Sequence, residues 1–311
     1  LPSFDFTFSH PRRDLVKHYK KKYYYIFHNK VALLKTTFGC PYKCNYCFCR
    51  VITEGKYSPR KIDDVLDELE KIEEKEIYIV DDDFLLLPER LRNFFNGLKE
   101  RNIKKRFLIY GRSDFIVKYP DIINKFKEVG LRTIIVGIES FNEQELKDYN
   151  KLNSVENNRE CIRILNKLGI DCYATTMIPP HWDENDFKKF GDELIKLKVK
   201  YVNLQPLTPL PGTSFGLTIP NHKRIIRGGE YDKWDLAHVS IMPEKMSVAD
   251  FYLNLIKLYK RVVLRPNVLL IHLKYSPFSW IRVFRGAMKI QQQYMKKYKE
   301  SLENPPKPIE S

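Results

Sequence analysis

From residue 31 onward, short apolar runs alternate with stretches whose apolar residues recur at every third or fourth position. The run Val31-Ala32-Leu33-Leu34-Lys35-Thr36-Thr37-Phe38 reads as a short buried strand. Ile62, Val65, Leu66, Leu69 and Ile72 then recur at helical spacing, with acidic residues between them. Glu76-Ile77-Tyr78-Ile79-Val80 is a second strand and ends in Asp81-Asp82-Asp83. Pro88 opens a helix carrying Leu91, Phe94, Phe95 and Leu98. A third strand is expected at 106–110 and a third helix near 118–129. A fourth strand at 133–138 precedes helices near 143–149 and 154–168; a fifth strand covers 170–178, a helix 184–197 and a sixth strand 200–205.

Six β/α units in strict alternation predict a parallel sheet with right-handed crossovers. Six are too few to close an eight-stranded barrel, and in either case the functional residues belong at the C-terminal strand ends. From residue 216 the pattern is helical. Trp280, Phe284, Ala287, Met288, Tyr294, Met295 and Tyr298 form one apolar stripe, with Arg282, Arg285, Lys289, Lys296 and Lys297 elsewhere. Such a helix can lie on an anionic membrane or cover the open side of the barrel. Asn304-Pro305-Pro306-Lys307-Pro308 reads as a disordered tail.

Composition adds bounds. The 311 residues, 43% hydrophobic and 13% aromatic, suffice for one barrel domain plus an extension. No apolar run approaches a membrane span. The opening Leu1-Pro2-Ser3-Phe4-Asp5-Phe6 has neither the basic nor the apolar region of a secretory leader, and a leucine at position 1 fits an excised domain or a fragment. The net charge of +15 suits nucleic acid, an anionic membrane surface or merely well-solvated helices. Basic residues scattered over many helix faces favour the last.

The chemistry concentrates in Phe38-Gly39-Cys40-Pro41-Tyr42-Lys43-Cys44-Asn45-Tyr46-Cys47. Cys40, Cys44 and Cys47 supply three thiolates on a loop leaving a strand end. A cluster ligated wholly by protein needs four thiolates; three leave one iron open for chemistry. A structural zinc site would want a fourth Cys or His at matched spacing, and the chain has no second Cys-x2-Cys or His pair. Cys49 is a conceivable fourth ligand but would crowd one edge of the cluster. Six cysteines in this length are too sparse for a disulfide framework, and Cys161 and Cys172 stand alone in core-like patterns. Reduced thiols and an oxygen-sensitive cluster imply a reducing, cytoplasmic and anaerobic setting.

This cysteine run, with Tyr46 before its last member, resembles the signature of the radical S-adenosylmethionine superfamily. The resemblance, covering about residues 10–260, implies an α/β fold: a partial (β/α)6 barrel with a helical C-terminal extension. It also implies a [4Fe–4S] cluster on Cys40, Cys44 and Cys47 whose remaining iron binds S-adenosylmethionine. Reductive cleavage then yields a 5′-deoxyadenosyl radical, with electrons from a flavodoxin- or ferredoxin-type donor. The corresponding partition is an arm at 1–30, left from a cobalamin-binding domain, a core barrel at 31–215 and a helical domain at 216–311.

Further phrases carry site residues over. Asp81-Asp82-Asp83-Phe84 resembles a "DD-x-F" segment where the methionyl ammonium binds, implicating Asp81 and Asp82; an acidic capping loop is the plain alternative. Arg112, in Arg112-Ser113-Asp114, matches an "R-x-D" segment and implies a clamp on the methionyl carboxylate, against simple pairing with Asp114. Gly137-Ile138-Glu139-Ser140 matches "GIES", with Glu139 and Ser140 near ribose and methionine, against plain helix capping. Tyr46 joins this cofactor-binding set. Lys151 also follows the family pattern, with a solvated lysine as alternative. Pro206-Leu207-Thr208-Pro209-Leu210-Pro211-Gly212-Thr213 ends in a "P-x-P-G-T" turn. Met177-Ile178-Pro179-Pro180-His181-Trp182 departs from the usual "G-x-P-G-E-T".

Within the superfamily the resemblance is to the cobalamin-dependent class, and three phrases tilt it toward hopanoid C-3 methylase-like proteins. They are Tyr23-Tyr24-Tyr25-Ile26-Phe27-His28, Cys47-Phe48-Cys49 and Trp234-Asp235-Leu236-Ala237-His238. The implied reaction is methylation of an unactivated carbon of a lipid-like or small-molecule substrate through methylcobalamin. Cobalamin rests on kinship alone, since the usual domain for it precedes the barrel; a separate cobalamin-binding domain and a peripheral membrane contact are the implied partners. The rivals are an anaerobic oxidative cyclase of the same class, a transfer-RNA methylthiotransferase and an inactive cluster-binding fragment. Nucleic acid is not the expected partner, because the methylthiotransferases end in a β-rich domain and this chain ends in helices.

Overall fold

A computed structural model of the chain describes residues 9–227, 229–266, 268 and 277–309. The start of the arm, read above for a leader, and the last two tail residues lie outside them.

Six strands build the main sheet: β1 (Val31–Leu34), β2 (Glu76–Ile79), β3 (Arg106–Gly111), β4 (Leu131–Glu139), β5 (Asp171–Ile178) and β6 (Tyr201–Pro206). Their order follows the chain, β1-β2-β3-β4-β5-β6, and the first four pair in parallel with Leu33, Tyr78, Leu108 and Thr133 in one row. The helices of six or more residues between them are α1 (Ile62–Lys71), α2 (Pro88–Glu100), α3 (Ser113–Lys118), α4 (Pro120–Glu128), α5 (Glu143–Asp148), α6 (Val155–Leu168) and α7 (Glu184–Lys196). After β6 come α8 (Val248–Val263) and α9 (Pro277–Glu303). The expected partial (β/α)6 architecture with C-terminal helices is what forms.

Alternation along the strands sorts their side chains. Ile77, Ile79, Phe107, Ile109, Ile134 and Val136 are fully buried, and Phe107 meets the rings of Phe94 and Phe126 from α2 and α4. The opposite face carries Val31, Tyr78, Leu108 and Ile135, joined by Tyr25, Val80 and Tyr173. Burying both faces is what a parallel sheet demands. Below this second face His28 bonds Glu76 at 2.8 Å and Thr133 at 2.9 Å, and Arg106 reaches Glu76 at 2.7 Å. These bonds tie the hairpin of Tyr24–Tyr25 and His28–Asn29 to the N-terminal strand ends.

Two expectations change. The strand expected over 31–38 leaves the sheet after Leu34, and Thr37–Phe38 pair instead with Ser58–Pro59. The cause is Asp81, whose carboxylate accepts the Thr36 and Thr37 N–H groups at 2.6 and 3.0 Å and withdraws them from the ladder. The helix expected near 118–129 forms as α4, but a further short helix, α3, stands before it. Tyr119, before Pro120, adopts φ −130 and ψ 58, because the proline ring disfavours helical geometry in the residue before it.

The chain divides into two compact units. The first comprises the chain up to Lys43, Cys49–Ile138 and Asn153–Tyr173; the second comprises Cys44–Phe48, Glu139–Leu152 and the chain from Ala174. In the second, α8 packs between α7 and α9, with Tyr252 and Tyr259 both against Tyr294. Among the described residues no helix is long and apolar enough to cross a membrane.

Candidate functional site

Each unit holds its own share of the cysteine segment. In the first, Asp81 is fully buried and also accepts the Thr36 hydroxyl at 2.5 Å. Burial pushes its pKa up while these donors oppose the rise. Asp82 accepts the Gly39 N–H at 2.9 Å, lies 3.4 Å from the Lys35 ammonium and takes a long bond from the Cys49 thiol at 3.6 Å. These two aspartates therefore fasten the backbone entering the cysteines. Gly39 stands at φ +78, where an added Cβ would overlap the Lys56 carbonyl oxygen; only glycine fits there.

Arg112 at the end of β3 is buried and pairs with Asp114 at 2.9 Å. Its guanidinium also lies 3.8 Å from the ring centre of Tyr42, inside the cysteine segment. Sequence pointed to Arg112 but not to this ring, since a cation–π partner 70 residues away leaves no local signal.

In the second unit, Glu139 ends β4 with φ +61, a left-handed conformation uncommon outside glycine. Its Oε1 accepts the Tyr46 hydroxyl at 3.0 Å and the Lys151 ammonium at 2.9 Å, and Lys151 also donates to Tyr46 at 3.2 Å. Lys151 is only 6% exposed, so the solvated alternative is excluded. Burial, then the nearby Glu139, Cys44 and Cys47, push the Tyr46 phenol well above its ordinary range. The backbone beside it is pinned as well: Asn45 N–H donates to Tyr149 at 3.2 Å, and Phe215 N–H donates to Asn45 at 2.9 Å.

Ser140 does not join Tyr46. Its hydroxyl donates to Glu145 on α5 and accepts the Asn142 N–H at 2.9 Å. The other Glu145 oxygen takes His181 at 3.0 Å and the Trp182 indole at 2.7 Å. Glu145 holds the His181 pKa above its ordinary value. In sequence the His181-Trp182 departure from the family pattern carries no sign of a partner. The signal was an acidic residue five positions after Ser140, indistinguishable in sequence from a helix-starting glutamate.

None of the six cysteines is in a disulfide, and Cys40, Cys44, Cys47 and Cys49 are half-buried while Cys161 and Cys172 are buried. Burial pushes the Cys161 thiol up, which disfavours a thiolate ligand there. Among the described residues no three His, Cys, Asp or Glu side chains converge as they would on a single metal ion. The fit to an iron–sulfur cluster is therefore one of donor chemistry: soft, accessible thiols closely spaced on one segment.

A family model for the radical SAM superfamily matches residues 34–194. Among curated proteins, the hopanoid C-3 methylase of Methylococcus capsulatus is 25% identical over 81% of this chain and 48% of that protein. The bacteriochlorophyllide d C-12(1)-methyltransferase of Chlorobaculum tepidum is 24% identical over 90% of this chain and 59% of that protein. The chain spans about half the length of these relatives. A solved structure of the radical S-adenosylmethionine methyltransferase TsrM from Kitasatospora setae, with cobalamin and a [4Fe-4S] cluster bound, shares the fold at TM-score 0.59. It is 16% identical and covers 86% of this chain and 61% of that one.

Proposed function

Because this chain belongs to the radical SAM superfamily, we propose that it is the catalytic barrel of a cobalamin-dependent C-methyltransferase. Family membership implies a [4Fe–4S] cluster and S-adenosylmethionine, which together supply a carbon-centred radical able to abstract hydrogen from an unactivated carbon. Cys40, Cys44 and Cys47 would hold the cluster. Asp81 and Asp82 fix the approach to Cys40 from the end of β2, where their negative charge suits a methionyl ammonium. Arg112, already holding Tyr42, offers its charge for a methionyl carboxylate. Tyr46 and Lys151 orient the Glu139 carboxylate, whose second oxygen suits ribose hydroxyls. Ser140 holds Glu145 in place for His181 and Trp182.

The observation that carries this reading is the cysteine segment. Its half-buried thiols are flanked by backbone that buried polar groups immobilise, as a reactive cluster requires. Methylation is supported by the relatives' names, and cobalamin by the TsrM structure that carries it. A cobalamin-binding domain is part of the proposal as partner, with the arm at 1–30, barrel at 31–215 and helical domain at 216–311 as the accompanying partition. A flavodoxin- or ferredoxin-type electron donor and a cytoplasmic setting complete the proposal.

For the substrate, a hopanoid-type lipid is the first reading, supported by the methylase relative. The sheet face bearing Tyr25, Tyr78, Tyr110 and Tyr173 favours a second. Tyr25 and Tyr78 lie 5.1 Å apart, Tyr78 and Tyr110 5.8 Å and Tyr25 and Tyr173 6.3 Å; Tyr110 is 37% exposed. The Tyr25, Tyr78 and Tyr110 hydroxyls bond one another in a chain, which a saturated hydrocarbon cannot use; a flat conjugated ring with acceptor atoms would stack on the rings and bond to that chain. That is the substrate type of a tetrapyrrole methylase or oxidative cyclase. Anaerobic reconstitution with reductant, S-adenosylmethionine and methylcobalamin, followed by mass spectrometry against polycyclic lipids and tetrapyrroles, tests both. 5′-Deoxyadenosine with a methylated product is expected; no deoxyadenosine refutes the enzyme, and deoxyadenosine with an oxidised, unmethylated product supports the cyclase.

A further inference from the structure

The sequence placed Trp280, Phe284, Met288 and Tyr294 in one apolar stripe of α9, and the structure separates them into two faces. Ser279, Tyr294 and Ser301 are buried, and Tyr294 meets the α8 tyrosines, so that face is the packing face. At about 100° per residue, Trp280, Ile281, Phe284 and Met288 gather in a different sector about 100° wide, which turns polar beyond Met288 with exposed Gln291 and Lys299. The four are 40%, 43%, 48% and 46% exposed. Trp280 and Phe284 stack at 5.8 Å with planes 14° apart, so two large aromatic rings are ordered side by side on an open face. A third sector bears exposed Arg285 and Lys289, followed by Lys296.

We propose that α9 lays its Trp280–Met288 face on an anionic phospholipid bilayer, holding the chain at a membrane surface. An apolar sector with a basic flank and low overall hydrophobicity is the chemistry of an interfacial helix. Tryptophan favours the headgroup boundary, and arginine and lysine gain from anionic lipid. The helix has no apolar span long enough to cross, so it lies on the bilayer. A protein partner fits less well, because interfaces between proteins are depleted in lysine and this apolar strip is bordered by it. The inference stands independently of the proposed chemistry.

The test is flotation of the whole chain with vesicles of phosphatidylcholine alone and of phosphatidylcholine mixed with phosphatidylglycerol. The mixed vesicles should carry the protein and the neutral ones should not. Arg285→Gln with Lys289→Gln should weaken binding more than about tenfold, as should Trp280→Ser with Phe284→Ser. All four positions are exposed, so melting temperatures should hold. If a variant nevertheless unfolds, the part of the tryptophan emission that Trp280→Phe removes decides: brominated lipid in mixed vesicles should quench it. Failure to float with mixed vesicles, or flotation and quenching that ignore lipid charge, overturns the proposal. So does a dimer in sedimentation equilibrium that the Trp280→Ser, Phe284→Ser variant abolishes while vesicles leave the chain unbound; α9 would then be a self-association face.

Discussion

Gly39 shows how single residues decide whether the cysteine segment can form. Its left-handed backbone, its bond to Asp82 and its closeness to the Lys56 carbonyl leave no room for a side chain. Gly39→Ala should therefore lower iron bound per chain severely. Gly169→Ala is the control: that residue has φ +70 with nothing near its added Cβ, so it should cost about 1 kcal/mol in stability and leave iron unchanged. Equal iron content in the two variants would contradict the role given to Gly39. The Glu139–Lys151 pair makes a second residue-level prediction. Glu139→Gln removes the counter-charge of a buried ammonium, a loss of about 3–5 kcal/mol, and adding Lys151→Met should recover part of it. Urea denaturation of both singles and the double checks the coupling.

His181 carries the pH prediction. The bond to Glu145, opposed by partial burial, raises its pKa in the folded state, with Glu244 and Asp186 adding to the rise. Because the folded value exceeds the unfolded one, the stabilisation is complete below the unfolded value and lost as pH rises through the folded value. The melting-temperature difference between the unaltered chain and His181→Asn should therefore shrink as pH climbs from about 6. A difference that grows with pH would refute the assignment.

Among elements, α1 and α2 meet at Gly97, where an added methyl would overlap Leu66. Gly97→Ala should force Leu66 to another rotamer and cost about 1–3 kcal/mol in thermal or denaturant unfolding. Iron loading should stay unchanged, since the change is far along the chain from the cysteines. This level was the most legible in sequence, because a sheet buried on both faces writes continuous apolar runs and its helices write a 3.6-residue period. The departures came from partners distant in sequence. Asp81 draws Thr36 out of β1 from 45 positions away, and no window around Thr36 contains that information. For the candidate site, motif position pointed to Asp81, Asp82, Arg112, Glu139 and Ser140. Their attachments to Thr36, Gly39, Tyr42, Lys151 and Glu145 depended on side chains meeting in the fold.

At the scale of the molecule, six ordered β/α units place the polar motifs at C-terminal strand ends, and the family model covers the segment that carries most of them. The C-terminal helices were expected, but the division of α9 into a packed face and an exposed face required Tyr294 to be seen against Tyr252 and Tyr259. The central claim is a three-thiolate cluster with one iron open to S-adenosylmethionine. Electron paramagnetic resonance of the anaerobically reconstituted, dithionite-reduced chain tests it most directly. The account predicts a reduced [4Fe–4S] signal that changes when S-adenosylmethionine is added and is lost when Cys44 is replaced by alanine. A signal indifferent to S-adenosylmethionine, or one that survives Cys44→Ala unchanged, would contradict it.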